Sequence, residues 1–372
     1  MERLPLVTEN GFVLRINRPY LKDLVFELES FVSKQDYMNS KDFSKKVMFS
    51  HEIKSNNTIE GINDSVVAIE EAIKDAEENK RGEIKNRIIN LYKGYRYILT
   101  GEEINEDTVH KLNKILSEGL LDSDCLSRMG DKYRKDSVYI LKNGRLDGSM
   151  DVIPPDNIQK FMNCFFQFVN NGEIFDSETD YFIKSQIMHF YFVYIHPYYD
   201  INGRTSRTVA MWYLLNHQVY PYIIFNRGIN YDSNYDRIIR ECKGRREITL
   251  FLEYMLITVK KELEKEYVLH HLKGMTSREW KANDYQTLEY FLSLTGNKTV
   301  LDFVAMYSRY NYKRPVREIF DTMLLPFLED GTIIPVRETQ KSIFNEQKNL
   351  VLSLNPDKVK QIDKSQLTRI HI

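Results

Sequence analysis

Apolar residues recur at helical spacing along most of this chain, and glycine and proline are sparse, at 16 and 10 of 372 residues. Apolar positions three and four apart lie on one face of a helix, so the pattern predicts a mainly α-helical protein. The predicted helices cover residues 19–31, 42–56, 65–79, 85–100, 105–116, 156–170, 180–195, 203–218, 232–243, 248–273, 284–294, 300–309 and 316–329. The segment 180–195 is apolar on most sides, which is typical of a helix inside a bundle.

Strand-like alternation is confined to two regions. Residues 137–141 and 152–153 flank the dipeptide Asn143-Gly144, which is a strong hairpin signal. Residues 332–337 and 350–354 follow three predicted helices, and three helices followed by a hairpin is the order of a winged helix. Because the composition changes near residue 274, we predict a separate C-terminal domain there.

Composition narrows the class of protein. Hydrophobic residues make up 42% of the chain, enough for a large core, and a formal charge of −1 gives no overall field toward nucleic acid or anionic membrane. Cys125, Cys164 and Cys242 are far apart in sequence, which fits reduced thiols better than a disulfide framework. Since the N-terminus lacks a signal-peptide pattern and no apolar run reaches roughly 18 residues, we expect a cytoplasmic protein.

The strongest chemical signal lies between His196 and Arg207, at the junction of two predicted helices. An imidazole can take a proton from a hydroxyl near neutral pH. A single carboxylate, here Asp200, suits Mg²⁺, which takes one or two protein oxygens together with phosphate. Arg204 and Arg207 lie three residues apart, so both can reach one polyphosphate at the anion-attracting start of a helix. Together these residues predict a phosphoryl or nucleotidyl transfer site.

Each of these residues has a structural interpretation when taken alone. A histidine that ends a core helix is commonly hydrogen-bonded within the core. Arginines in a first helical turn are commonly solvated, but two of them at the positive end of the helix dipole are unfavourable unless an anion is near. The two arginines alone are therefore weak evidence for a phosphate-binding site. His189 and His217 have no such neighbours, and we assign both to structure.

The same segment resembles the signature of the Fic family, His-x-Phe-x-Asp/Glu-Gly-Asn-Gly-Arg-x-x-Arg. The matching residues are His196, Asp200, Asn202, Gly203, Arg204 and Arg207. Tyr198 replaces the phenylalanine and keeps an aromatic side chain. Ile201 replaces the first glycine, and because a β-branched residue resists positive φ, we expect either an ordinary backbone conformation here or a distorted loop.

The resemblance implies a Fic-type helical bundle with a small β-hairpin flap. The domains would be an N-terminal helical region with an inhibitory motif (1–110), a Fic catalytic core (111–273) and a winged-helix-like domain (274–372). Members of the family mostly transfer AMP from ATP to a hydroxyl of a protein. For this chain, the target would be a Ser, Thr or Tyr side chain of another protein or of the chain itself.

The resemblance also implies a role for each signature residue. His196 would be the general base, and Asp200 would bind Mg²⁺ between the α- and β-phosphates of ATP. The residues that would hold the nucleotide are Asn202, Gly203, Arg204, Arg207 and Tyr235. Tyr235 falls where the family has a tyrosine-containing segment beside the adenine.

Upstream, residues 55–63 resemble the family's inhibitory helix motif, Ser/Thr-x-x-x-Glu-Gly/Asn. Glu60 and Gly61 match, and Asn56 stands at the Ser/Thr position. In the family this glutamate pairs with the second motif arginine, here Arg207, and competes with the γ-phosphate for it. The alternative is an exposed glutamate at a helix end that Gly61 caps.

The predicted hairpin over 137–153 falls where the family has a flap that binds a target segment by strand addition. Val138, Tyr139 and Ile140 would offer the strand edge. An ordinary covered hairpin is the alternative.

Two other functions stay open at this point. The same site could remove AMP from modified proteins, with Glu60 positioning a water molecule. Alternatively, the chain could be a DNA-binding regulator with a degenerate Fic core, in which Lys313, Arg314 and Arg317 meet DNA phosphates. The partners would be a hydroxyl-bearing protein, DNA in the second case, and a second copy of the chain if it forms a homodimer; no membrane partner is expected.

Overall fold

A computed structural model describes residues 1–43, 49–78, 86–121, 123, 125, 132–138, 141–142, 145–146, 153–171, 177–229, 234–294, 298–311, 313–336, 350–370 and 372. The described chain is mainly helical with small antiparallel sheets, as its hydrophobic periodicity predicts. It divides into two compact units, Met1–Glu60 with Ala72–Val259 and Gly61–Glu71 with Lys260–Ile372. Among the described helices, none is both long enough and apolar enough to span a bilayer.

The helices of the first 274 residues follow the predicted order closely. They are α1 (Arg18–Val32), α2 (Ser50–Ile59), α3 (Val66–Glu77), α4 (Asn86–Ile98), α5 (Glu106–Ser117), α6 (Pro155–Asn170), α7 (Glu178–Ile195), α8 (Asn202–Asn216), α9 (Phe225–Ile229), α10 (Tyr235–Arg245) and α11 (Thr249–Gly274). Local signals set several ends. The side chain of Asn105 caps α5 by accepting the N–H of Thr108 at 3.0 Å, and the side chain of Ser177 caps α7.

Helices α7 and α8 form the centre of the first unit. They pack along each other, and most residues of both are buried. Helix α7 is apolar on nearly every side, as its sequence indicates, and it ends immediately before His196. Since α8 begins at Asn202, the first six residues of the signature, 196–201, connect two core helices. The remaining residues of the signature form the start of α8.

A hairpin at the N-terminus was not expected from the sequence. Strands β1 (Glu2–Val7) and β2 (Val13–Ile16) pair antiparallel, and the turn between them contains Gly11 with a φ of 74°. The inward-facing residues of this hairpin are Leu4, Leu6, Leu14 and Ile16, all buried. Alternation was visible here, but each strand is short, and proline at position 5 argues against a strand.

A hairpin is present near the predicted position, but its second strand lies at 145–146 and not at 152–153, and Ile153 lies outside any strand. Strand β3 (Leu141–Lys142) pairs antiparallel with β4 (Arg145–Leu146). Val138 is half-buried and lies outside any strand, whereas the other two residues expected at the flap edge, Tyr139 and Ile140, fall outside the described residues.

The part of the second unit that follows α11 contains a three-stranded sheet. Its elements are α12 (Ala282–Ser293), β5 (Lys298–Thr299), α13 (Val300–Tyr310), α14, β6 (Ile333–Pro335), β7 (Val351–Leu354) and α15 (Pro356–Val359). Helix α14 is formed by the consecutive segments Val316–Ile319, Phe320–Leu324 and Leu325–Glu329, of which the middle one is a π turn. The sheet order is β5-β7-β6, all antiparallel, so β5 adds a strand to the hairpin expected from the sequence.

Candidate active site

His196 ends α7 and turns the chain toward α8. Its backbone is left-handed, with φ 52° and ψ 61°, and its N–H completes the helix by donating to the carbonyl of Phe192 at 2.9 Å. Its ring is half-buried, and Nδ1 has no hydrogen-bond partner among the described residues. Burial, with the charges of Lys243 and Arg134, lowers the pKa of His196 to about 3. The imidazole is therefore neutral at pH 7, the form that accepts a proton.

Arg134 holds this turn from outside the signature. Its Nε donates to the carbonyl of His196 at 2.8 Å, and its backbone N–H donates to the carbonyl of Pro197 at 3.0 Å. Its guanidinium also donates to main-chain oxygens of Asp136 and Ile153, and the residue is 2% exposed. Arg134 carries no sequence signal for this role, because it lies 62 residues before His196, in a stretch without periodicity or motif.

Ile201 adopts a left-handed conformation, which favours glycine. Its φ is 65° and its ψ is 11°, so the expectation of an ordinary backbone here is wrong. This conformation costs a residue with a side chain about 1–2 kcal/mol. The side chain is 3% exposed, and burying it provides about 1.5–3 kcal/mol, which offsets that cost. The loop therefore holds a left-handed residue at this position without a glycine.

The side chain of Asn202 closes the turn. Its Oδ1 accepts the N–H of Tyr198 at 2.9 Å, and its Nδ2 donates to the carbonyl of the same residue at 2.8 Å. Both polar atoms of this buried amide are thus committed to the backbone. The first hydrogen bond of α8 runs from the N–H of Thr205 to the carbonyl of Ile201, so the N–H groups before it point out of the helix end. The amides at this end, rather than the Asn202 side chain, are suited to bind an anion.

Gly203 leaves room for an anionic group above the start of α8. A Cβ at this position would lie 2.6 Å from Oε1 of Glu60 and 3.1 Å from Nη1 of Arg207. The first distance is shorter than any van der Waals contact, so a side chain here would displace the carboxylate. Glycine at this position therefore lets the carboxylate of Glu60 lie close to the start of α8.

Arg204 provides the second cationic group of the site. It is 8% exposed, and its Nε and Nη1 are buried without a hydrogen-bond partner in the described part of the chain. Burial lowers the pKa of Arg204, while the charges of Glu60 and Asp200 act in the opposite direction. A buried donor without a partner costs about 1–3 kcal/mol. This pair of unsatisfied donors fits a site built for a bound anion.

Arg207 and Glu60 form an ion pair across the start of α8. The Nη2–Oε1 distance is 2.5 Å, and the side chains are 2% and 33% exposed. Burial raises the pKa of Glu60, but the charges of Arg207 and Arg204 outweigh this effect and the net pKa lies below its usual range. Gly61 follows with a φ of 80°, so the helix end has a left-handed cap, and Glu60 still reaches into the site.

Helix α2 brings further polar side chains to this ion pair. Oδ1 of Asn56 accepts from both Nε and Nη2 of Arg207, at 2.9 and 2.8 Å. One turn earlier, the buried carboxylate of Glu52 accepts from Nε of Arg227 at 3.2 Å and so links α2 to α9. Glu52, Asn56 and Glu60 are spaced four residues apart and lie on one helix face. That polar spacing is the sequence signal from which the cluster could have been found.

Tyr235 packs behind Arg207 at the start of α10. It is 7% exposed, and its hydroxyl bonds to Nε2 of His189 at 2.7 Å, with the two rings stacked at 5.8 Å. Burial raises the pKa of Tyr235. His189, assigned to structure from the sequence, is thus a fully buried support of the site, and burial with the charge of Arg207 holds its pKa well below the usual value.

Asp200 is the candidate metal ligand. It is exposed, and its Oδ1 accepts the N–H of Ile201 at 2.7 Å. The described residues contain no group of three or more His, Cys, Asp or Glu side chains that could hold a metal ion. Mg²⁺ does not need such a group, because phosphate and water oxygens supply most of its ligands. A single carboxylate beside an anion site fits this ion.

The structure therefore brings most of the expected site residues to one place. The connection after α7 and the first turns of α8 carry His196, Asp200, Asn202, Gly203, Arg204 and Arg207, and Glu60 reaches them from α2. Tyr235 contacts this cluster from behind. Val138 belongs to the segment before β3.

Comparisons with known proteins bear on the family and on the fold. Residues 103–214 match the model of the Fic/DOC family. The fold is similar to a Fic family protein from Desulfovibrio desulfuricans G20, with 17% identity, 88% of this chain and 94% of that chain covered and a TM-score of 0.55. It is also similar to Fic-1 (residues 134–508) from C. elegans, with 16% identity, 70% and 76% covered and a TM-score of 0.50. No curated protein matches the sequence significantly.

Proposed function

Because this chain is a Fic family protein, we propose that it transfers AMP from ATP to a hydroxyl side chain of a target protein. Proteins with this domain generally transfer AMP or other nucleotide-linked groups to their targets. The observation that carries the proposal is the buried guanidinium of Arg204, whose Nε and Nη1 have no partner in the described chain. It lies next to Gly203, and the space above Gly203 holds the carboxylate of Glu60, an anionic group. A polyphosphate would satisfy both features.

In the proposed reaction, the backbone amides at the start of α8 and the two arginines hold the phosphates, and Asn202 fixes the turn that presents those amides. Neutral His196 accepts the proton of the target hydroxyl. The hydroxyl oxygen forms a bond to the α-phosphorus, the bond from that phosphorus to the bridging oxygen breaks, and pyrophosphate leaves. AMP remains on the target. Asp200 would hold Mg²⁺, which neutralises phosphate charge when bound.

The ion pair of Glu60 and Arg207 supports an inhibited state. The carboxylate occupies Nη2 of Arg207 and the space above Gly203. A γ-phosphate would need the same guanidinium and would be repelled by the carboxylate. We therefore propose that the chain binds ATP productively only after Glu60 has moved away.

The alternative functions differ in the support they receive. Removal of AMP by the same site, with Glu60 positioning water, would lose its activity in Glu60→Gly, whereas transfer would gain. For DNA binding, Arg314 lies 3.4 Å from Glu318 and Arg317 lies 3.5 Å from Asp321. Because acidic side chains of the same helix offset these arginines, the observations favour nucleotidyl transfer. A mobility shift that weakens steeply with salt would support DNA binding instead.

The central experiment incubates the chain and a cell lysate with labelled ATP and Mg²⁺ and reads intact protein masses. We expect a mass increase of one AMP group on a target or on the chain, abolished in His196→Ala. A matched control is His270→Ala, which removes an exposed histidine of α11. Equal labelling in His196→Ala, or no nucleotide binding even in Glu60→Gly, contradicts the proposal.

A further inference from the structure

Arg134 joins the signature turn to the two ends of the segment that carries the β3–β4 hairpin. Its Nε donates to the carbonyl of His196 at 2.8 Å, and its backbone N–H donates to that of Pro197 at 3.0 Å. Its two Nη atoms donate to the carbonyls of Asp136, which precedes β3, and Ile153, which follows β4. One buried guanidinium therefore closes the base of this segment directly against the residue proposed as the general base.

Tyr199 makes a second connection between the same two segments. Its hydroxyl accepts the N–H of Lys135 at 3.2 Å and donates to Oδ2 of Asp136 at 2.9 Å. The family signature leaves this position unspecified, so the signature does not account for a tyrosine here. The turn that carries the proposed general base is thus bonded to the base of the hairpin segment by two side chains, one from each segment.

These contacts matter because no group in the described part of the chain bonds to Nδ1 of His196. A general base is commonly oriented by a third group that bonds to its other ring nitrogen. Here the main chain of His196 is bonded instead, its N–H to the carbonyl of Phe192 at 2.9 Å and its carbonyl to Arg134. The direction of the imidazole therefore depends on how the turn itself is held.

We propose that Arg134 and Tyr199 are positioning residues, which fix His196 relative to the hairpin and so to a target hydroxyl docked there. The inference rests on the proposed transfer reaction, in which the hydroxyl and its proton acceptor must meet within hydrogen-bonding distance. In a purely structural role, the two side chains would only close the base of the hairpin segment, and their loss would lower stability without slowing the transfer step. The rate of transfer at saturating ATP separates these two roles.

The test measures transfer from labelled ATP to lysate proteins in the Glu60→Gly background, with Tyr199→Phe as the main variant because it removes only one hydroxyl. We expect the rate at saturating ATP to fall about tenfold, while the affinity for ATP, measured by calorimetry, is unchanged. The matched control is Tyr20→Phe, which removes an exposed hydroxyl that donates to Glu253 at 2.8 Å and should leave the rate unchanged. Arg134→Lys keeps the charge but loses the fork of donors, so its rate should fall further.

The positioning role is overturned if Tyr199→Phe labels as fast as Tyr20→Phe, or if its affinity for ATP falls by the same factor as its rate. A Glu60→Gly background that labels nothing contradicts the proposed transfer instead, and hydrogen exchange of the full chain then decides the positioning role. Arg134→Lys should speed exchange of the amides of His196 and Tyr198, with an unchanged far-ultraviolet circular dichroism spectrum as the check of folding. Unchanged exchange at these two amides overturns the inference.

Discussion

Replacing Glu60 by glycine should turn the proposed inhibited state into an active one, and the size of the effect follows from the ion pair. Its Nη2–Oε1 distance is 2.5 Å, and the Arg207 side chain is 2% exposed. A hydrogen bond to a charged group contributes about 1.5–3 kcal/mol net. Because one third of Glu60 is exposed, solvent screens it, and we take the lower half of this range. With about 1.4 kcal/mol per factor of ten, ATP should bind roughly 10- to 40-fold more tightly.

The gain depends on Arg207 staying in place after the carboxylate is removed. Asn56 makes this expectation reasonable, because its Oδ1 holds Nε and Nη2 of Arg207 independently of Glu60. Nη1 already lies beside Gly203, on the side where the phosphates would bind. The guanidinium is therefore preorganised for an incoming anion, and the transfer rate should rise by a factor similar to that for affinity.

The assay compares ATP with AMP by calorimetry and measures transfer with labelled ATP. Since AMP lacks the γ-phosphate, its affinity should be unchanged in Glu60→Gly, whereas ATP should gain. Glu60→Gln is the matched control, because it keeps the size of the side chain and an accepting oxygen but loses the charge, so its gain should be smaller. Equal gains for ATP and AMP, or a transfer rate no higher than that of the parent chain, would refute the competition for Arg207.

Two further predictions concern stability. Ile201→Gly should lower the free energy of unfolding by roughly 1 kcal/mol, because the lost burial of the side chain and the backbone freedom of glycine outweigh the relieved strain. Transfer activity should be retained. A variant that is more stable in urea denaturation would contradict this prediction. Acidification should destabilise the chain through His189, whose folded pKa lies well below its usual value while the unfolded residue takes up a proton near pH 6.5. Stability from this group is present above about pH 6.5 and is lost progressively as the pH falls below that value, and His189→Gln should reduce this loss in urea titrations at pH 7 and pH 5.

The helices could be predicted because periodicity is a local property of the sequence. Thirteen predicted helical segments have described counterparts, and their ends differ mainly by one or a few residues, where caps such as Asn105 and Ser177 decide. The strands could be predicted less well. Strand β5 has only two residues, and its pairing with β7 depends on residues about fifty positions away. The local sequence pattern carries no information about which distant strand pairs with β5.

The residues of the candidate site also differ in whether the local sequence reveals them. The signature residues were found because they are contiguous, and Glu60 because it belongs to a short motif. The residues that hold them in place are distant in sequence: Asn56 lies 151 positions from Arg207, and Glu52 lies 175 positions from Arg227. Each is a buried polar residue that is unfavourable on its own and is stabilised only by its partner. A sequence shows such residues as exceptions within apolar helices, but it does not show which residues they meet.

Ile201 explains why a match to the signature can survive the loss of a glycine. A residue with positive φ normally selects glycine because nothing else compensates the strain. Here the residues around Ile201 are held by two hydrogen bonds between the side-chain amide of Asn202 and the backbone of Tyr198, and by the hydrogen bond from Arg134 to the carbonyl of His196. Within this bonded turn Ile201 takes a positive φ while its side chain is buried. At Gly203 the reason for glycine is different, because a Cβ there would lie 2.6 Å from Oε1 of Glu60 and would push that carboxylate aside. The first glycine of the signature is thus a conformational preference that other contacts can replace, whereas the second gives an anionic group close access to the start of α8.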